Sequence, residues 1–225
     1  MYMRDQKVVF PNPRHFPGLD GIVYVGADLE QSTLVSAYRL GIFPWPVEGY
    51  PLLWHCPEER GVLDFAELHV PRRLKQSLRS AGFTISFNRA FQDVISACAS
   101  QPRKGQDGTW ILPGFIPAYT KFHRAGFAHS IECWQNDVLV GGLYGVYVGG
   151  VFSGESMFHL ETNASKACLL AIIEKLKLLG LTWMDIQMVT PVTRQFGGKY
   201  ISRNQFLDRI EAAQKAGLPE KLSLV

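Results

Sequence analysis

V-L-V-G-G-L-Y-G-V-Y-V-G-G-V-F-S-G-E-S-M-F-H-L-E-T-N, residues 138–163, is the stretch around which the rest of the chain is read. Valine and aromatic residues at alternate positions predict two strands, and Gly149-Gly150 supplies a two-residue turn free to take positive φ. Glycines at 141, 142, 145 and 154 fill no core, so the pattern reads as backbone left open to the approach of another group. One acid, Glu155, stands in this apolar run. A carboxylate there is solvated, paired or awaiting a cation, or else it points outward from an ordinary half-buried strand.

Outward from the hairpin, 128–134 reads as a strand and 135–137 as a turn, which makes a three-stranded meander. Downstream, the spacing predicts a helix over 164–179 with Asn163 as its cap and Gly180 as its end. A strand over 182–187 and a helix over 203–216 introduced by Ser202 follow. Upstream lie a helix over 71–81 with proline in its first turn, a strand over 83–87, and helices over 89–99 and 115–125. Residues 1–60 differ in texture: F-P-N-P-R-H-F-P, G-I-F-P-W-P and P-L-L-W-H-C-P-E-E-R leave room for one helix, 33–40, capped by Ser32 and stopped by Gly41. Residues 41–46 read as a stiff turn that holds Trp45 between two prolines, as a pocket wall or a core plug. The division expected is a small N-terminal domain, 1–60, and a larger domain, 61–225. The element order describes an α+β layer with a mostly antiparallel sheet. That order also matches the topology of GNAT-like acyltransferases, a likeness that by itself names no substrate.

At 225 residues and 47% hydrophobic content the chain can bury one large core or a large and a small one. Its start lacks the apolar segment of a secretory signal and no run reaches the roughly 18 residues of a membrane span, so the expected location is cytoplasmic. Cys56, Cys98, Cys133 and Cys168 lie far apart with no C-x-x-C pair and are expected as buried free thiols. A net charge of +3 is too small to prove nucleic-acid binding, but Arg72, Arg73, Lys75 and Arg79 cluster, and Arg103-Lys104 and Lys121/Arg124 follow. Each cluster fits a solvated helix face or a phosphate contact.

There is no G-x-S-x-G, H-E-x-x-H or Walker loop, no G-x-G-x-x-G opening a helix, and the histidines are scattered, so no metal is expected. An acyl-CoA reader needs a glycine-rich turn from strand into helix; here 154–166 carries an acid and bulky apolar residues where a diphosphate wants bare amides. In T-W-M-D-I-Q, strand alternation puts Asp185 and Gln187 on one face, with Met184 and Ile186 on the other. A glutamine amide cannot act as a base, but its oxygen can accept a hydrogen bond from an amine and aim the nitrogen lone pair. Asp185 would fix that amide or hold positive charge nearby. The alternative is a polar strand end bonded to neighbouring backbone.

Together L-V-S-A-Y-R-L-G-I-F-P-W (34–45), T-W-I (109–111), A-H-S-I-E-C-W (128–134), L-V-G-G-L-Y-G-V (139–146), F-S-G-E-S-M-F (152–158), N-A-S-K (163–166), D-I-Q (185–187) and I-S-R-N-Q-F (201–206) resemble the leucyl/phenylalanyl-tRNA-protein transferase family over nearly the whole chain. The resemblance implies transfer of Leu or Phe from the 3′ end of its tRNA to a protein's N-terminal Arg or Lys, marking it for degradation. It also implies a small N-terminal domain, a larger GNAT-like one, and no requirement for metal or CoA. By the same resemblance Trp45, Trp110 and Phe152 help receive the aminoacyl-adenosine, and Met157 and Leu143 line the amino-acid pocket. Glu155, Asp185 and Gln187 then belong to the reaction site. Gln187 would orient the acceptor amine, Asp185 support Gln187, and Glu155 offer negative charge to the incoming cationic end. Arg72 and Lys75 would hold the tRNA acceptor arm through its phosphates. An apolar pocket gains roughly 0.8 kcal/mol per buried CH₂, enough to favour Leu and Phe over small or charged side chains but not to separate them sharply from Met.

After D-I-Q the chain departs from the family pattern with M-V-T-P-V-T-R-Q-F-G-G, so Thr190, Pro191, Val192 and Arg194 stand where a histidine and an S-L-G-like turn are usual. An arginine beside the acceptor site would repel N-terminal Arg or Lys and attract Asp or Glu. His55-Cys56 and Ala27 also differ, from the commoner W-S and glycine. Two other classes stay open: a CoA-dependent N-acyltransferase on the same fold, and a non-catalytic module that binds tRNA or protein N-termini.

Overall fold

The computed structural model describes residues 8–15, 19–47, 49–101, 111–112 and 114–224. Trp110, Arg103 and Lys104 lie outside them. The first elements are β1 (Ile22–Val25), α1 (Gln31–Arg39), β2 (Phe43–Trp45), β3 (Leu53–His55) and β4 (Glu59–Asp64). Then come α2 (Arg72–Ser80), β5 (Thr84–Phe87), α3 (Phe91–Ser100), α4 (Phe115–Arg124), β6 (Ala128–Gln135), β7 (Val138–Val148) and β8 (Val151–His159). The chain continues through α5 (Ala164–Leu178), β9 (Trp183–Gln187), α6 (Pro191–Gln195), β10 (Lys199–Ser202) and α7 (Arg203–Lys215).

Two sheets result, one of three strands in the order β1-β3-β2 and one of seven in the order β10-β4-β9-β8-β7-β6-β5. The protein is a mixed α+β molecule, and every neighbouring pair in the large sheet is antiparallel except β8 with β9. Those two run parallel because α5 carries the chain across between them, as a parallel pair requires. Gly149 and Gly150, at φ +60 and +81, close the β7–β8 hairpin; Asn136 and Asp137, at +51 and +61, close β6–β7 with the same handedness.

The glycines of β7 serve packing rather than an outside group. A Cβ at Gly141 would lie 2.5 Å from Cβ of Ala164, one at Gly142 2.6 Å from the Phe158 ring, and one at Gly145 2.5 Å from the Phe152 ring. Of the hairpin glycines expected to stay open, Gly154 is the one that faces a cavity.

The N-terminal segment is more regular than its prolines suggest. Residues 41–46 are not a free turn: Phe43, Pro44 and Trp45 form β2, and the proline is tolerated because β2 is an edge strand. Helix α1 begins ahead of Ser32, after Glu30, whose side chain makes no cap bond; the backbone N–H of Glu30 donates instead to Asp28 Oδ1 at 2.9 Å. Ala27 sits at φ +69, the left-handed region that favours glycine. Asn163 likewise takes φ +69 and caps nothing with its side chain, whereas Ser202 forms the expected cap with Gln205.

One core is shared by both sheets: Leu34, Ile42, Phe43 and Trp54 pack in the same cluster as Val62, Val94, Tyr144 and Phe206. On the other face of the large sheet α5 covers Leu63, Ile131, Phe152 and Met184 through Leu169 and Ile172. The four cysteines are buried and free. Among the described residues no helix is long and apolar enough to cross a membrane.

The contact between Gly141 and α5 generates a prediction. Gly141→Val forces α5 off the sheet and is expected to cost about 1–3 kcal/mol, read as a lower urea midpoint. A midpoint equal to wild type would contradict the close approach.

Candidate active site

β8 and β9 share a single ladder pair, Ser153 with Asp185, and between them opens a cleft of about 590 Å³. Gly154, Glu155 and Met157 of β8 face Met184, Ile186 and Gln187 of β9 across it. Leu143 of β7 and Leu169 of α5 add apolar wall, Trp45 enters from the end of β2, and α6 lends Val192 and Thr193. The volume and the largely apolar exposed surface of the lining suit a small-molecule-sized ligand.

The polar centre of the cleft is Glu155, 9% exposed. Its Oε1 accepts from Tyr38 Oη at 2.9 Å and from Gln187 Nε2 at 2.9 Å, and Tyr38 Oη lies 2.8 Å from Tyr119 Oη. Burial, opposed by the Tyr38 hydrogen bond and reinforced by the charge of Asp185, pushes the Glu155 carboxyl up to about 8. Glu155 is therefore mostly protonated at neutral pH, which corrects the expectation that it presents negative charge. Burial first, and Glu155 second, hold Tyr38 and Tyr119 well above the usual phenol range, so both hydroxyls keep their protons.

Gln187 ends β9 at φ +52, a left-handed conformation that costs a non-glycine residue about 1–2 kcal/mol. Its backbone N–H donates to Asp185 Oδ1 at 2.9 Å, which fixes the bend. Gly61 on β4 makes the bend possible, since a Cβ there would lie 2.8 Å from the backbone of Met188. Simple alternation consequently fails: Gln187 lines the cleft together with Met184 and Ile186, while Asp185 does not.

Asp185 is 1% exposed and engaged by Arg60, also 1% exposed, through Nε at 2.8 Å and Nη2 at 2.7 Å. Ser153 Oγ donates to the same carboxylate at 2.9 Å. The Arg60 guanidinium lies between the rings of Phe43 and Phe206, 4.5 Å from each centroid, and donates to the Gly41 carbonyl at 3.2 Å. Asp185 thus holds a positive charge, but supports Gln187 through its backbone rather than its amide.

Of the other expected site residues, Trp45, Leu143 and Met157 line the cleft. Phe152 does not: it is fully buried against Gly145 and presents no face to a ligand. Arg72 and Lys75 are exposed on α2, outside the cleft, and Ser77 of that helix accepts a 3.3 Å hydrogen bond from Asn163 on the cleft wall. Arg194 is exposed on α6 and absent from the lining, so the repulsion expected of it has no place inside the cleft. Tyr38, Tyr119, Arg60 and Gly61 went unnoticed in the sequence. Tyr38 falls inside the motif at 34–45, yet no spacing ties it to Glu155, 117 residues away. Among the described residues no group of three or more His, Cys, Asp or Glu could hold a metal ion.

A family model described as leucyl/phenylalanyl-tRNA protein transferase matches residues 62–211, and a model for the N-terminal domain of that family matches 27–58. A leucyl/phenylalanyl-tRNA–protein transferase of Maridesulfovibrio salexigens is 44% identical over 214 residues, covering 95% of this chain and 89% of its own. One of Syntrophobacter fumaroxidans is 45% identical over 202 residues, covering 90% and 86%.

The state of Glu155 gives a stability prediction. Its folded value, about 8, lies above the ordinary 4.5, so the folded chain binds the extra proton between them. The associated stability is intact below about 4.5 and is lost as pH rises through about 8, on the order of a few kcal/mol. Denaturant titrations from pH 5 to 9 should show this decline in wild type and a much flatter curve in Glu155→Gln; parallel curves would refute the buried, proton-bearing carboxyl.

Proposed function

The chain belongs to the leucyl/phenylalanyl-tRNA protein transferase family, and from that membership we propose that it moves Leu or Phe, with Met admissible, from tRNA to the N-terminal α-amine of proteins. It is an aminoacyltransferase. The acceptors we propose are proteins beginning with Arg or Lys, marked in this way for degradation in the cytoplasm. The observation that carries the site assignment is the Glu155–Gln187 hydrogen bond in the wall of an apolar cleft.

The donor side chain takes the part of the cleft lined by Leu143, Met157 and Met184. Trp45 offers a ring to the terminal adenine, where stacking is worth roughly 1–3 kcal/mol; Trp110 is proposed for the same task. Exposed Arg72 and Lys75 on α2 are proposed to contact phosphates farther along the acceptor arm. The one parallel pair, β8–β9, crossed by α5 within an otherwise antiparallel sheet supports assigning the large sheet to the GNAT-like acyltransferases.

The ester of the donor is already activated, so aminolysis needs a neutral amine held in line with its carbonyl carbon. With the Gln187 amide nitrogen committed to Glu155, the amide oxygen is left to accept from the acceptor amine and aim its lone pair. An α-ammonium titrates near 7.7–8.0, close to the value of about 8 for Glu155, so a proton passes between them with little driving force either way. In the reaction the acceptor α-ammonium first gives one proton to the ionised fraction of Glu155; the neutral amine nitrogen then bonds to the carbonyl carbon, the ester C–O bond breaks, and of the two remaining amine protons one leaves with the ribose oxygen and one stays on the new amide nitrogen.

Labelled Leu-tRNA offered with peptides beginning Arg, Lys, Asp, Glu or Ala tests the reading. Transfer to Arg and Lys peptides is expected; transfer to Asp and Glu peptides instead would overturn the acceptor assignment, and transfer to none the activity. Gln187→Ala is expected to lower kcat roughly a hundredfold while tRNA affinity stays near wild type. Equal kcat in that variant would eliminate Gln187 as the orienting group.

A further inference from the structure

The first turn of α5, carrying the N-A-S-K motif, borders the cleft through Asn163, Ser165 and Lys166. Its position is fixed: a Cβ at Gly141 would come within 3.0 Å of the Ala164 carbonyl carbon and 3.1 Å of the Ser165 nitrogen, so the bare strand receives the helix end. What the turn displays is not explained by that packing. No side chain caps it, and Asn163 Nδ2 donates away from it, to Ser77 Oγ; the Ala164 N–H donates to the Glu161 carbonyl at 3.1 Å, which leaves the amides of Ser165 and Lys166. The leading N–H groups of a helix lack intrahelical partners and carry partial positive charge, which favours acids in the first turn. Here the first turn has no acid and instead has Lys166.

Two side chains sharpen the point. Ser165 is 7% exposed and lines the cleft, yet its hydroxyl makes no hydrogen bond among the described residues. That hydroxyl opens on the cleft and is left to whatever occupies it, water or a ligand. Lys166, half-buried on the same wall, has no carboxylate partner among the described residues. A cation, a hydroxyl without a protein partner and a helix N-terminus without a side-chain cap converge on one place, and an anion with several acceptor oxygens would engage all three.

We propose that Ser165, Lys166 and the first-turn amides of α5 form a phosphate site that binds the phosphodiester on the 5′ side of the donor tRNA's terminal adenosine. The inference rests on the reading that the cleft receives aminoacyl-adenosine. That phosphate is the donor anion nearest the reacting ester, whereas an acceptor beginning with Arg or Lys brings no anion in its first side chain. A single phosphodiester also needs fewer bare amides than a diphosphate, so the bulky residues ahead of Asn163 are no obstacle.

The test uses 3′-leucylamido-adenosine, an amide that cannot transfer, with and without a 5′-phosphate, titrated into the full chain. Wild type is expected to bind the phosphorylated form about tenfold more tightly. Ser165→Ala with Lys166→Gln is expected to erase that ratio, and because both ligands are measured in the same protein, partial unfolding of the variant does not mimic the result. A ratio near one in wild type, or one retained in the double variant, overturns the phosphate site. So does a double variant that keeps the ratio but changes transfer to Asp or Glu peptides, which would make the locus an acceptor carboxylate site. Failure of wild type to transfer from Leu-tRNA at all would instead sink the functional reading, and the site with it.

Discussion

The buried pairing of Arg60 with Asp185 ties more of this structure together than any other single contact. Arg60 enters from β4 and Asp185 from β9, neighbours in the large sheet, and the guanidinium is held between a ring of the small sheet, Phe43, and a ring of α7, Phe206. A charge pair this deep is weak evidence for net stability, but removing one partner strands the other and costs about 3–5 kcal/mol. Its consequence is geometric. With two oxygens on Arg60, Asp185 still accepts the backbone N–H of Gln187, and that bond holds the left-handed residue on which the cleft's amide depends. The small sheet therefore shapes the cleft through the ring of Phe43 on Arg60 as well as through Trp45 in the lining.

The cleft exists because β8 and β9 meet at one pair and part. A parallel neighbour reached through α5 cannot match the registry of a hairpin, and the bend at Gln187 takes the end of β9 out of line. Space between diverging strands in a sheet interior would ordinarily fill with side chains. Here it borders Gly154 on one strand and flexible methionines, Met157, Met184 and Met188, on its walls. Thioether side chains adapt their shape to branched and aromatic partners alike.

Much of the large sheet was legible because its signals are local. The Gly149-Gly150 and Asn136-Asp137 turns, the alternation of β6 to β8 and the Ser202 cap each depend on residues within a few positions of one another. The small sheet was not, because Pro44 and the prolines around it suppress a strand pattern, and only the edge position of β2 makes them harmless. In the site, Glu155, Asp185 and Gln187 were picked out as polar residues in apolar strands, but their relations were misjudged. Periodicity placed Asp185 and Gln187 together, and a positive φ that no pattern announces separated them. The partners that set their chemistry, Arg60 and Tyr38, lie 125 and 117 residues away in sequence. Phe152 shows the limit of carrying a role across a resemblance: the residue matches, yet the ring is spent filling the notch left by Gly145.

The two carboxyls illustrate how one small region assigns different tasks to the same functional group. Asp185 receives the guanidinium, a hydroxyl and a backbone N–H, four donors that suit an anion and lock it in place. Glu155 receives two neutral donors and no cation in contact, and burial does the rest by lifting it toward the range of an α-amine. Had Arg60 reached Glu155 instead, the carboxyl would stay ionised. Had Tyr38 and Tyr119 been absent, water would enter and the shift would collapse with the desolvation that causes it. The raised state of Glu155 thus depends on keeping Arg60 on the other acid, which is the work of the β4–β9 register and the rings that enclose Arg60.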